Sequence, residues 1–171
     1  MASESAYAGY SVQYANGNEV LWTNIGGLVG SPPGDYAQNK EFSGGSQNTG
    51  VAVFGQRYGF TLAEQQSVTG LEGGFWAYYA SPGGGSGQLY VAMSLNGNPI
   101  GTGKHVTLTN EPQFYTLGSS TDLWGINPLS LWSTVQSSLF GLGVSATCSA
   151  PVNGTEVDIH VAWLPITVFH T

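Results

Sequence analysis

The stretch "LFGLGVSATC", residues 139–148, decides how this chain folds. Phe140, Leu142, Val144, Ala146 and Cys148 share one parity; Gly141, Gly143, Ser145 and Thr147 share the other. Successive side chains of an extended strand point to opposite faces, so this spacing describes a strand with one buried face. "GQLYVAMSLNG", residues 87–97, repeats the scheme with Leu89, Val91, Met93 and Leu95 inward. Asn96-Gly97 then signals a tight hairpin, because both residues tolerate positive φ. "HVTLT", residues 105–109, returns as the partner strand with Val106 and Leu108 inward.

Further strands are expected at Arg57–Leu62, Val68–Ala80, Gln113–Gly118 and Thr155–Phe169. Short strands separated by Gly, Asn and Pro clusters predict an all-β fold, an antiparallel β-sandwich of jelly-roll-like form. The last strand changes phase. Val157, Ile159, Val161 and Trp163 share one parity, and Leu164, Ile166 and Val168 the other. Pro165 sits beside the switch, where a bulge or an edge position is expected.

At 171 residues the chain is expected to be one domain. Residues 1–50 are rich in Gly, Ser, Asn and Tyr and are broken by "GSPPGD" and "SGGSQNTG". They read as an extended arm or strap laid on a sandwich body of residues 51–171 or on a neighbouring molecule, with strand-like pieces near Tyr10–Tyr14 and Val20–Trp22. The tyrosines and Trp22 argue for docking over disorder.

Three Lys and Arg stand against ten Asp and Glu, a formal net charge of −7. Such a chain cannot neutralise phosphates, which argues against nucleic-acid partners and anionic membranes. Charged residues make up only 8% of the chain, so solubility rests on Ser, Thr, Asn, Gln and Gly, or on cover by partners. Its one cysteine, Cys148, excludes an internal disulfide and reads as a small core residue. The opening "MASESAYAGYS" lacks a basic n-region and an apolar h-region, so secretory export is not expected. No apolar run is long enough for a spanning helix.

"SSTDLWGINPLSLW", residues 119–132, is read as scaffold. Asn127 and Pro128 suit an N-cap and a first helical position, opening a short helix near residues 128–137. Leu129, Trp132 and Val135 would share its inner face. Asp122 suits a turn that accepts backbone N–H groups. Trp124 and Trp132 would close one end of the sandwich. Between His105 and His160 the chain offers no His, Lys or Arg to support catalysis there.

With "WTNIGGLVGSPPGDYAQ", "YGFTLAEQQSVTGLEGGF" and "ITVFHT", the segment "STDLWG" completes a set of motifs in a recognisable order. From Trp22 to Thr171 the chain resembles a family of small β-sandwich modules in tailed-phage virion proteins. It departs from that family at "GLEGGFWAYYA", where charged outward residues are usual, and in the longer segment containing "EVDIHVAWLP". The resemblance implies a virion structural component of the head surface or tail appendages, with no catalytic residues to carry over.

The chain carries few motifs that would point to chemistry. "GTGKH", Gly101–His105, has Asn98 where a P-loop needs its first glycine, and His105 where it needs Ser or Thr. No nucleophile elbow and no zincin motif occurs. Glu156, Asp158 and His160 alternate on one strand face. They read as a solvated or intersubunit polar face, with cation binding or acid/base work as the other readings. Asn153-Gly154 reads as a plain turn, and Glu72 as a solvent-facing residue.

The oddity is aromatic. If Leu71, Phe75 and Tyr79 face inward, Trp76 and Tyr78 face out, as does Tyr90 on the next strand. Outward aromatics favour association. An interface with other subunits or a capsid, a sugar-stacking platform, or cover by the arm would each account for them. The leading expectation is a non-enzymatic virion protein, made in the host cytoplasm, that decorates the capsid or another head or tail surface and stabilises the particle by docking on capsid or tail proteins as a homotrimer. The alternative is a carbohydrate-binding, receptor-recognition module of a tail appendage. No cofactor is expected.

Overall fold

A computed structural model describes residues 1–13, 21–30, 35–43, 48–49, 51–64, 66–149 and 155–171. The turn expected at Asn153-Gly154 and much of the two predicted breaks lie outside these residues, as do Tyr14 and Val20. The described strands are β1 (Ala2–Tyr7), β2 (Tyr10–Gln13), β3 (Trp22–Thr23), β4 (Ala37–Ser43), β5 (Asn48–Thr49), β6 (Val53–Gln56) and β7 (Val68–Ala80). They continue with β8 (Ser86–Leu95), β9 (Asn98–Pro99), β10 (Lys104–Thr107), β11 (Gln113–Ser119), β12 (Phe140–Ser149), β13 (Thr155–Ala162) and β14 (Pro165–His170). Among the described residues one α-helix, α1, spans Pro128–Val135, and a short 3-10 helix spans Ile25–Leu28.

Among the described residues these strands form two seven-stranded sheets with antiparallel pairing. The first sheet runs β1-β14-β7-β13-β4-β3, with β11 also paired to β7; the second runs β10-β8-β12-β6-β2, with β5 and β9 at its margins. Between them lies one core. Leu71 and Phe75 of β7, Ile159 and Val161 of β13, and Ile166 and Val168 of β14 meet Leu89, Val91 and Met93 of β8 and Leu142, Val144 and Ala146 of β12. The residues read as inward on β12 and the Leu89, Val91 and Met93 of β8 are buried, Cys148 with them, while Leu95 is half-buried and Ala92 and Ser94 on the opposite parity of β8 are covered as well. Each such Val, Leu, Ile, Phe or Met side chain contributes roughly 1.5–3 kcal/mol on burial. The hairpin at Asn96-Gly97 has φ of 53° and 72°, as its residue types require.

Four expectations need correcting. The described residues of the predicted arm are built into the sandwich: β1 pairs with β14 in the first sheet, and β2 pairs with β6 in the second. Backbone pairing with the sheets, not side-chain docking alone, holds this polar segment. Second, Arg57–Leu62 is not a strand. Arg57 has φ of 63°, which ends the β6 ladder, and Tyr58, Phe60 and Leu62 then tuck into the core from a loop. Alternate burial there comes without pairing.

Third, the final strand is broken. Thr155–Phe169 is two strands that run end to end beside β7, with β13 opposite Trp76–Ala80 and β14 opposite Val68–Gly73. The break falls at Trp163, in the left-handed region at φ of 57°. That twist turns Trp163 out of the core and onto the outer face of the sheet. Last, the inner face of α1 carries Leu131 and Val135, four residues apart, with Trp132 half-buried beside them. Leu129 is 92% exposed.

The "DLWG" turn is a brace for the first sheet. The Leu71 N–H donates to the Asp122 carbonyl at 2.9 Å, and the Trp124 indole Nε1 donates back to the Leu71 carbonyl at 3.0 Å. The Trp124 N–H donates to Asp122 Oδ1 at 2.8 Å. Asn127 caps α1 by accepting from the Leu129 N–H at 3.0 Å, with Pro128 as the first helical residue. The Trp132 Nε1 donates to the Ala63 carbonyl at 3.0 Å, which ties the helix to the loop after β6.

Candidate functional site

The outer face of the first sheet carries the site. Across it run β1, β14, β7 and β11, and the register sets Ser5 opposite Thr167, Thr167 opposite Glu72, and Gly74 opposite Thr116. Inward neighbours of these residues belong to the core, so alternation points this row outward. An open cavity of about 220 Å³ lies on the face, lined by Ser5, Tyr7, Glu72, Gly74, Phe114, Trp163, Pro165 and Thr167.

Aromatic rings form one wall. Tyr7 stacks on Trp163 with centroids 5.5 Å apart and planes 28° from parallel. Trp163 meets Phe114 at 5.3 Å, and Phe114 meets Trp76 at 5.9 Å. Such offset and tilted pairs are favourable arrangements that hold rings in place. Phe114 is 41% exposed and Tyr7 46% exposed, so the wall presents aromatic surface to solvent. Gly74 forms part of the floor: a Cβ there would meet the Phe114 ring at 2.5 Å and Pro165 at 3.1 Å. Polar groups supply the rest. Ser5 and Thr167 hydroxyls lie 2.8 Å apart. The Glu72 side chain is half-buried and makes no hydrogen bond or ion pair with the described residues. The Trp163 indole N–H is buried without an acceptor among them.

A second cluster occupies the same face beyond Trp76. Tyr78 and His160 stack at 4.3 Å with planes 5° apart, and Tyr36 packs edge-on to both. Tyr78 is thus covered by its own neighbours. Burial pushes the His160 imidazole below its ordinary value and the Tyr78 hydroxyl above its own, the latter helped by Tyr36 and Asp158. Lys40 reaches Glu156 at 3.2 Å and Asp158 at 3.3 Å. Burial nonetheless raises the Asp158 carboxyl, outweighing the Lys40 hydrogen bond, with Glu156 adding to the rise. Glu156, Asp158 and His160 do share a face, as alternation required, but the two carboxylates are taken up by an ammonium. No group of three His, Cys, Asp or Glu among the described residues is placed to hold a metal ion.

Tyr90 stands apart from the other two outward aromatics. It belongs to β8 in the second sheet, tilted against His105 at 5.1 Å. Trp76, Tyr78 and Tyr90 are therefore not one platform. Asp122 gains a partner from the β10 strand: Lys104 Nζ lies 2.8 Å from its Oδ2 and 4.9 Å from the Trp124 ring. The Lys104 hydrogen bond holds the Asp122 carboxyl below the usual range, aided by the Trp124 N–H and opposed by burial. This is the arrangement of a brace.

No protein-family model matches the chain, and no curated protein does. Among solved structures it is similar to apo BiXyn10A CBM1 at 12% identity, covering 94% of this chain and 97% of that one, with a TM-score of 0.46. TmCBM27, a carbohydrate-binding module with specific mannan recognition, is 11% identical over 96% of this chain and 95% of its own, with a TM-score of 0.39. The enzymatically active domain of tailspike protein 4 from bacteriophage CBA120 is 10% identical, covers 94% of this chain and 19% of that one, and has a TM-score of 0.39. The resemblance of the sequence motifs to phage virion modules is not joined by a family match.

Sequence reasoning missed the groove residues Tyr7, Phe114 and Trp163; the outward Trp76 it singled out meets Phe114 without lining the groove. One signal was available. The phase change in "EVDIHVAWLPITVFH" requires one residue at the break to leave the core, and Trp163 is the bulky one there. Tyr7 and Phe114 come from edge strands, and nothing in their local sequence says which strand lies beside them. Glu72, read as simply solvent-facing, lines the groove.

Proposed function

We propose that this protein is a non-catalytic carbohydrate-binding β-sandwich and that the groove on its first sheet is the sugar site. The observation that carries the reading is the aromatic wall Tyr7–Trp163–Phe114–Trp76 beside the polar side chains of Ser5, Thr167 and Glu72. A pyranose has an apolar C–H face and a rim of hydroxyls. The rings offer an apolar surface for the first, and the hydroxyls and carboxylate offer hydrogen bonds for the second. The wall is held by ring-to-ring packing before any ligand arrives, which lowers the ordering cost of binding. Glycoside hydrolysis usually needs two carboxyl groups flanking the bond. Among the described residues the groove lining contains one, Glu72.

Joined to the motif resemblance, the reading is of a receptor-recognition module on a virion appendage. A capsid-docking subunit would use the same exposed aromatics for protein contact instead. Titration of immobilised and soluble glycans separates the two. The sugar reading expects saturable binding that falls about tenfold or more in Phe114→Ala and in Trp163→Ala, with folding retained. Absence of glycan binding, together with a trimer in light scattering that dissociates in Phe114→Ala, would favour docking.

A further inference from the structure

The groove carries a carboxylate and no counter-charge. Among the described residues its lining includes Glu72 and no Lys, Arg or His. The chain has three Lys and Arg in all. Each is engaged elsewhere: Lys40 with Glu156 and Asp158, Lys104 with Asp122, and Arg57 over the Tyr10 ring at 4.8 Å. The wider field has the same sign, with a formal net charge of −7. Thr167, opposite Glu72 in the β7–β14 ladder, is already hydrogen-bonded to Ser5. The Glu72 carboxylate has no such partner among the described residues, so its acceptor capacity faces the cavity unfilled.

From this we infer that Glu72 is a specificity-determining residue that filters ligands by charge. The groove takes glycans without acidic substituents, and it excludes chains bearing uronate, sulfate or sialate groups at this position. The inference rests on the carbohydrate reading above. A neutral sugar donates hydroxyl protons to the carboxylate in charge-assisted hydrogen bonds, which are stronger than neutral ones. An acidic substituent set beside Glu72 brings like charge into a half-buried site with no cation to offset it. Like charges a few ångströms apart at such a site oppose each other by enough to change affinity about tenfold or more.

The test is a glycan array holding neutral oligosaccharides beside their uronate- and sulfate-bearing counterparts. Calorimetry on the tightest neutral probe and its acidic counterpart then follows, for the wild type, Glu72→Gln and Phe114→Ala. The wild type is expected to prefer the neutral member by about tenfold or more, and Glu72→Gln to narrow that ratio several-fold. The ratio is the readout, because Glu72→Gln also alters a contact with the neutral sugar. Equal or tighter binding of the acidic member by the wild type overturns the filter, as does a ratio unchanged in Glu72→Gln. In either case loss of binding in Phe114→Ala would leave the sugar groove standing. A dark array, or full binding in both Phe114→Ala and Trp163→Ala, removes the sugar groove and the filter with it.

Discussion

Trp163 lies against Tyr7 with ring centroids 5.5 Å apart, although the two residues come from opposite ends of the chain. Pairing of β1 with β14 brings Tyr7 opposite Pro165, and the left-handed backbone at Trp163 turns its ring outward to meet it. The aromatic wall thus depends on the first strand of the sequence. Tyr7→Ala should loosen Trp163 and weaken glycan binding several-fold, on the scale of a lost ring pair. Because Tyr7 is 46% exposed, the unfolding free energy should change little. Calorimetry with chemical denaturation checks both.

Filling the floor should close the groove without touching the core. Gly74→Val places atoms where the Phe114 ring and Pro165 now sit. Phe114 lies on an edge strand and can swing away, so the fold should survive while glycan binding is lost. Retained binding in a folded Gly74→Val protein would move the sugar site off this face.

The helix offers a test of which face is buried. Leu131→Ala should cost about 2–5 kcal/mol, as expected for a fully buried leucine. Leu129→Ser should cost close to nothing, since Leu129 is 92% exposed. Asn127→Ala removes the cap on the Leu129 N–H and should cost about 1 kcal/mol. Urea unfolding of the three variants orders them.

His160 should make stability fall on mild acidification. Its imidazole is held below the ordinary value of 6.5, chiefly by burial. As pH drops through that value, unfolded chains take up a proton that the folded protein resists, so the unfolded state gains. Above it both states are neutral at this residue and the effect vanishes. His160→Phe keeps a ring against Tyr78 and removes the titration. Its stability should decline less than that of the wild type between pH 7 and pH 5, followed by thermal unfolding at each pH. A parallel decline in both proteins would exclude His160 as the cause.

Strand parity is a local property, and the sequence alone determined it. Alternation in residues 139–148 and 87–97, the hairpin at Asn96-Gly97 and the N-cap at Asn127 each depend on residue type and spacing within a few positions. These were enough for an antiparallel sandwich with one short helix, and for outward Trp76 and Tyr78. Burial alone could mislead even locally, as in Arg57–Leu62, where a loop alternates its side chains into the core without a partner strand. Only tertiary structure decided which strands are neighbours. Register brought Tyr7, Phe114 and Trp163 from three separate segments to one groove, and sent Tyr90 to the other sheet. It also set Lys40 between Glu156 and Asp158, and Lys104 on Asp122. Pairing partners in an antiparallel sheet are chosen by the packing of the whole core, so a site assembled across four strands has no single stretch of sequence that spells it.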